Sequence, residues 1–171
     1  IDVPKPDLKE WEQLVERIRK RSQEVHIGLV GKYVKLHDAY LSVAEAMSHA
    51  GYEWSTFVNI HWIDSETISK ENVHVVFKGL QGIIVPGGFG NRGIEGMILA
   101  AKYARENKIP YFGICLGMQI AVIEFARNVA GLRDAHSGEF DEQCTTKVIN
   151  FMPGQSEEID KGGTLRLGSY P

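Results

Sequence analysis

Apolar and polar positions alternate along this chain in two rhythms. Trp11, Leu14, Val15 and Ile18 recur at i, i+3, i+4 and i+7 with Lys, Glu and Arg between them, behind an Asp7-Leu8-Lys9-Glu10 capping-box pattern. That spacing predicts an amphipathic helix of about four turns. It follows a proline-interrupted, extended entry over residues 1–6 and leads into the domain, packing on it or on a preceding one. The basic run from Arg17 to Arg21 reads as a solvated helix end. Residues 25–31 then read as a buried strand ending in glycine. Residues 38–49 read as a helix with Tyr40, Val43, Ala44 and Met47 on one side and Gly51 as its stop signal. In residues 54–63 the rhythm switches to two, and Thr56, Val58, Ile60 and Trp62 share one strand face. Residues 66–78 carry no clear rhythm.

Residues 82–85 are a third strand, 94–107 a helix apolar at Ile94, Ile98, Ala101 and Tyr103, and Ile109 to Gly113 a fourth strand. A helix runs from there to about residue 128. After Gly131 the pattern weakens: residues 147–152 suit a strand, 153–163 a polar loop, and 164–167 a short extended piece. Strands alternating with helices predict an α/β fold, a doubly wound and mostly parallel sheet with helices on both faces. Ligands in such folds bind beyond the carboxyl ends of the strands.

Bulk properties narrow this picture. The chain has 171 residues and a net charge of −3, so no basic face invites nucleic acid and no polybasic stretch invites a membrane. No apolar run reaches the ~18 residues of a membrane span. The start lacks signal-peptide character, and two cysteines, Cys115 and Cys144, make neither a disulfide framework nor a metal-ligand set, so no metal is expected and the cytoplasm is the default compartment. The start also lacks an initiator methionine, which suggests a piece of a longer polypeptide.

Chemistry concentrates at two glycine-bearing turns, each at the carboxyl end of a predicted strand. Gly113-Ile114-Cys115-Leu116-Gly117 is a G-x-C-x-G elbow, a sharp strand-to-helix turn that lifts one side chain out of the sheet. A cysteine there meets the free N–H groups of a helix start, the setting that favours a thiolate. A small apolar core residue is the other reading of Cys115. Pro86-Gly87-Gly88-Phe89-Gly90 lacks the lysine and Ser/Thr of a phosphate-binding loop and fails the dinucleotide spacing. It is a tight structural turn, or its bare N–H groups form an oxyanion hole. The two turns support each other: together they favour Cys115 as an acyl-transfer nucleophile. A base is harder to find. None of the six histidines sits in an H-x-E or H-x-D pair, and His136 is the only one after the elbow. His26 and His61 read as strand residues with ordinary partners, and Cys144 has no evident role.

Residues 25–168 resemble the glutamine amidotransferase domain of the CTP synthases. The resemblance is carried by Gly28-Leu29-Val30-Gly31-Lys32-Tyr33, Asp38-Ala39-Tyr40, the 85–90 turn, Arg92-Gly93 with Glu95-Gly96, the elbow through Met118-Gln119, Glu139-Phe140, and Gly162-Gly163-Thr164-Leu165-Arg166-Leu167-Gly168. It implies that residues 1–24 are a linker helix from an N-terminal synthetase domain and 25–171 the amidotransferase domain, incomplete at its C-terminus. It further implies Cys115 as nucleophile, the N–H groups of Gly88 and Leu116 on the oxyanion, and L-glutamine held by Gly87, Phe89, Gln119 and Glu139, the last reading its α-ammonium group. Ammonia would pass to the synthetase domain, where ATP activates UTP with Mg2+ and GTP acts as activator; none of these is expected in this chain. A homo-oligomer, a tetramer in the family, is also implied.

Two departures stand out. The family's N-S-T-E-F segment reads His136-Ser137-Gly138-Glu139-Phe140 here, and the family's catalytic histidine and glutamate lie beyond the last residue of this chain. Rival readings are another amidotransferase or a cysteine-elbow hydrolase of the same fold, or a non-catalytic α/β domain that binds a metabolite or partner.

Overall fold

In a computed structural model that describes residues 6–151, the chain forms six strands and five helices. These are α1 (Lys9–Arg19), β1 (Gln23–Gly31), α2 (Leu41–Glu53), β2 (Thr56–Asp64), α3 (Val73–Val76), β3 (Gly82–Val85), α4 (Ile94–Glu106), β4 (Tyr111–Gly113), α5 (Leu116–Asn128), β5 (His136–Ser137) and β6 (Lys147–Ile149). The expected loop at 153–163, the extended piece at 164–167 and the glycine run at 162–168 lie outside the described residues.

The main sheet runs β2-β1-β3-β4 and every pairing in it is parallel. β5 and β6 pair as a separate two-stranded piece. Period-two alternation splits the core between the faces. Leu29, with Val58, Ile60, Trp62 and Ile84, packs with Met47 of α2 on one side. Val30, Ile83 and Val85 pack with Met97, Ile98, Ala101, Ile120 and Ile123 of α4 and α5 on the other. The shared face expected for Val58, Ile60 and Trp62 is therefore present, and helices cover both faces. On the α2 side, Ile27, Ile84 and Phe112 line an open apolar concavity of about 590 Å³ that contains none of the elbow residues.

Several boundaries differ from the sequence expectation. α1 has 11 residues and starts after Leu8, with Asp7 accepting from the Lys9 N–H at 3.1 Å, so the capping box does not close on Glu10. Its basic end is not simply solvated. Arg17 pairs with Glu53 at 3.0 Å, and the Arg21 guanidinium lies 4.2 Å over Phe57 and 5.0 Å over Tyr52. The second helix opens with a 3-10 turn at His37–Tyr40 and runs through Gly51 to Glu53. Gly51 is a packing residue rather than a stop, because a Cβ there would lie 2.6 Å from the Thr56 carbonyl oxygen. The 66–78 stretch becomes a short 3-10 turn (Ser65–Thr67) and the single-turn α3. His26 and His61 partner each other, Nδ1 to Nε2 at 2.9 Å.

The sheet order places a topological switch between β1 and β3: α2 leads away from β1 on one face, and α4 leads from β3 on the other. Ligands of open α/β sheets collect at such a switch, outside the carboxyl ends of the strands. Both glycine-bearing turns and the end of β1 converge there.

Candidate active site

The elbow is built by close packing. β4 ends at Gly113, the Ile114 N–H donates to the Val85 carbonyl at 2.9 Å, and α5 begins at Leu116. Cys115 sits between them as the N-terminal cap, with φ 52° and ψ −104°, and is exposed. A non-glycine residue at positive φ costs on the order of 1–3 kcal/mol and persists only where its surroundings over-determine it. The surroundings here are the two flanking glycines. A Cβ on Gly113 would overlap the Gly117 backbone, and one on Gly117 would overlap the Val85 carbonyl. The Tyr111 hydroxyl donates to the Gly117 carbonyl at 2.8 Å, and burial pushes its phenol well above the usual range.

The second turn lies against this one. A Cβ on Gly87 would stand 3.6 Å from Cys115 Cβ, and one on Gly88 would stand 3.4 Å from Leu116 Cδ2. The structure thus brings together Gly87, Gly88, Cys115 and Leu116 from two strand ends far apart in sequence. Gln119 is one helical turn beyond the cysteine, its N–H donating to the Cys115 carbonyl at 3.2 Å. Phe89 projects outward, 63% exposed.

A residue without an assigned role in the sequence reading ties these parts. Lys32, just past β1, is 4% exposed, and its ammonium donates to the Phe89 carbonyl at 3.0 Å and to the Gly90 carbonyl. It also lies 5.8 Å from the Phe140 ring centroid. Burial lowers its pKa, and the neighbouring Glu139 carboxylate acts in the opposite direction. Glu139 and Phe140 are thereby placed beside the 86–90 turn. The Lys32 and Tyr33 N–H groups both donate to the buried Tyr40 hydroxyl, at 3.1 and 3.3 Å. Arg92 donates to the Lys32 carbonyl at 3.0 Å and pairs with Glu66 at 2.8 Å. The available signal for Lys32 was its position: a long cation directly after a strand that ends at the same sheet edge as both turns.

His136 is held elsewhere. Its Nδ1 accepts from the Ser137 N–H at 2.9 Å, and its Nε2 lies 4.0 Å from Glu95, which Arg127 grips at 2.9 Å. Burial, and then the Arg127 guanidinium, lower its pKa. Among the described residues its hydrogen-bond, ion-pair and ring partners are Ser137, Glu95 and the Phe140 ring, and Cys115 is not one of them. Among the described residues, no three His, Cys, Asp or Glu side chains are grouped to hold a metal ion. Among the same residues, no helix is long and apolar enough to cross a membrane.

Comparison with known proteins matches this geometry. The chain is 62% identical over 166 residues to a CTP synthase of Carboxydothermus hydrogenoformans, covering 97% of this chain and 31% of that protein. It is 56% identical over 171 residues to a CTP synthase of Listeria innocua, covering all of this chain and 32% of that protein. The chain therefore spans about a third of the length of these curated relatives. Among solved structures, the glutaminase domain of Trypanosoma brucei CTPS with bound acivicin superposes with a TM-score of 0.72 at 42% identity. That match covers 78% of this chain and 52% of that one. A family described as glutamine amidotransferase class-I matches residues 35–171. With the cysteine elbow and the glycine turn packed on each other and most of the chain inside that match, this chain belongs to the class-I glutamine amidotransferase family.

Proposed function

We propose that this chain is the glutaminase portion of a CTP synthase and that Cys115 carries its chemistry. The Cys115 sulfur attacks the side-chain amide carbon of L-glutamine. The carbonyl oxygen becomes an oxyanion that accepts from the N–H groups of Gly88 and Leu116. The C–N bond then breaks, the departing nitrogen takes up the thiol proton, and ammonia leaves. Water cleaves the resulting thioester, releasing glutamate and restoring the thiol. Phe89, Gln119 and Glu139 hold the amino acid, with the Glu139 carboxylate on its α-ammonium group. The proton-transferring histidine is not assigned to His136, whose Nδ1 accepts from the Ser137 N–H and whose ring lies beside Glu95 and Arg127. Ammonia then serves the ATP-dependent amination of UTP in the synthetase portion; no step derived from this chain passes through ATP, Mg2+ or GTP.

The observation that carries this reading is the seating of Gly87 against Cys115, a cysteine at positive φ, and of Gly88 against Leu116. The test is to treat the full-length polypeptide with an electrophilic glutamine analogue and map the adduct. The expected result is a single label on Cys115 that excess glutamine prevents, with loss of ammonia release in Cys115→Ala. Labelling elsewhere, or ammonia release that survives Cys115→Ala, refutes the assignment.

A further inference from the structure

Lys32 carries an inference that rests on this glutaminase reading and deepens it. A buried ammonium is costly unless its donors are used, and this one spends them on main-chain carbonyls. The Phe89 and Gly90 carbonyl oxygens both accept from Lys32 Nζ. Along its stem, Cδ and Cε lie 3.7 and 3.9 Å from where a Cβ on Gly88 would stand. Gly87, Gly88 and Gly90 give the turn little intrinsic stiffness, because glycine backbones have a wide choice of conformations. The Lys32 side chain removes that choice from one side, while Cys115 and Leu116 bound it from the other. Its own base is fixed in turn: the Lys32 N–H donates to Tyr40, and the Lys32 carbonyl accepts from Arg92. The Phe140 ring and the Glu139 carboxylate stand beside the same ammonium.

We infer that Lys32 is a positioning residue: by holding the Phe89 and Gly90 carbonyls it orients the 86–90 turn so that its N–H groups stabilise the oxyanion in acyl transfer. The role lies in the transition state, because the oxyanion forms only there. Loss of the ammonium should therefore reduce turnover more than glutamine capture, while leaving the accessibility of the thiol in place.

The experiment uses the full-length polypeptide as wild type, Lys32→Met, Lys32→Arg and Cys115→Ala. Two reactions of one thiol are compared. Glutamine hydrolysis passes through an oxyanion, whereas alkylation of Cys115 by iodoacetamide does not. Lys32→Met should lower kcat for ammonia release by ~10- to 100-fold, somewhat below the usual loss of a direct oxyanion donor. The iodoacetamide rate should change less than about threefold, and KM for glutamine, which also reports Phe89 and Glu139, should rise by less than kcat falls. Lys32→Arg, whose forked donors can reach two adjacent carbonyls, should recover most of kcat. Three results overturn the inference: kcat of Lys32→Met within about twofold of wild type, a parallel fall of alkylation and kcat, or a rise in KM at constant kcat. If the wild type releases no ammonia, or Cys115→Ala releases it at the wild-type rate, the glutaminase reading itself fails and this inference falls with it.

Discussion

Gly117→Ala is the sharpest test of the elbow. The added Cβ would overlap the Val85 carbonyl oxygen and lie 2.9 Å from the Val85 carbonyl carbon, and both are main-chain atoms that no rotamer change can move. Restoring an ordinary carbon–oxygen separation of ~3.3 Å requires α5 and β3 to part by roughly 1 Å. Overpacking of this kind costs about 3 kcal/mol, at the upper end of the usual range. Alanine returns up to about 1 kcal/mol in helix propensity. The net loss is about 2 kcal/mol, a fall in Tm of ~4–8 °C for a domain of this size. Cys115 lies two residues upstream and moves with the helix, so glutamine hydrolysis should drop on the order of 10²-fold, the usual penalty for an ångström of misplacement. The measurements are thermal unfolding and ammonia release in the full-length polypeptide. Gly131→Ala is the control: it has open space and only its φ of 79° to strain it, so about 1 kcal/mol and unchanged turnover are expected. A Gly117→Ala protein that melts with wild type and turns over normally would show that the helix does not depend on this contact.

Two further outcomes follow from the surroundings of the site. Tyr40→Phe leaves the Lys32 and Tyr33 N–H groups without their acceptor, so stability should fall by about 1–3 kcal/mol; denaturant unfolding with an unchanged midpoint would contradict this. His136 has its pKa lowered from an ordinary value of 6.5, first by burial and then by Arg127. Its neutral form is thus favoured on folding, and its contribution is complete above pH 6.5 and lost as pH falls below it. His136→Asn should flatten the decline in unfolding midpoint between about pH 7 and 5; an unchanged slope would assign the decline to other groups.

Much of the fold was legible because its signals are local. The alternation at Val58, Ile60 and Trp62 marks a strand face, and Gly113 and Gly117 mark a turn too tight for side chains, with no knowledge of the partner required. The errors have tertiary causes. Gly51 looks like a helix stop, but it is glycine because the chain returns through Thr56 against it. Arg21 looks like a solvated charge until Tyr52 and Phe57 arrive beneath it. The face-to-face packing of the 86–90 turn and the elbow could be anticipated, since parallel strands put their carboxyl ends together. For Lys32 the position after β1 placed it at the same sheet edge, but not its acceptors, which are main-chain carbonyls 57 and 58 positions away that no side-chain pattern announces. His136 was visible as a lone histidine after the elbow, but only the three-dimensional arrangement shows that its Nδ1 accepts from Ser137 and that Glu95 and Arg127 lie near its ring.

The backbone angle at Cys115 has an evolutionary consequence. Gly113 and Gly117 are glycine for reasons of space, and packing alone would maintain them in any descendant that keeps the fold. Position 115 is the reverse: its φ of 52° suits glycine better than the residue that occupies it. Selection for stability alone would therefore drift toward three glycines within five residues, and under the proposed nucleophile role selection for a thiol opposes that drift. A descendant that has abandoned hydrolysis but still folds is expected to show glycine at 115 between two unchanged neighbours. Under the proposed function, the strain thus makes this one position a record of whether the thiol chemistry is in use.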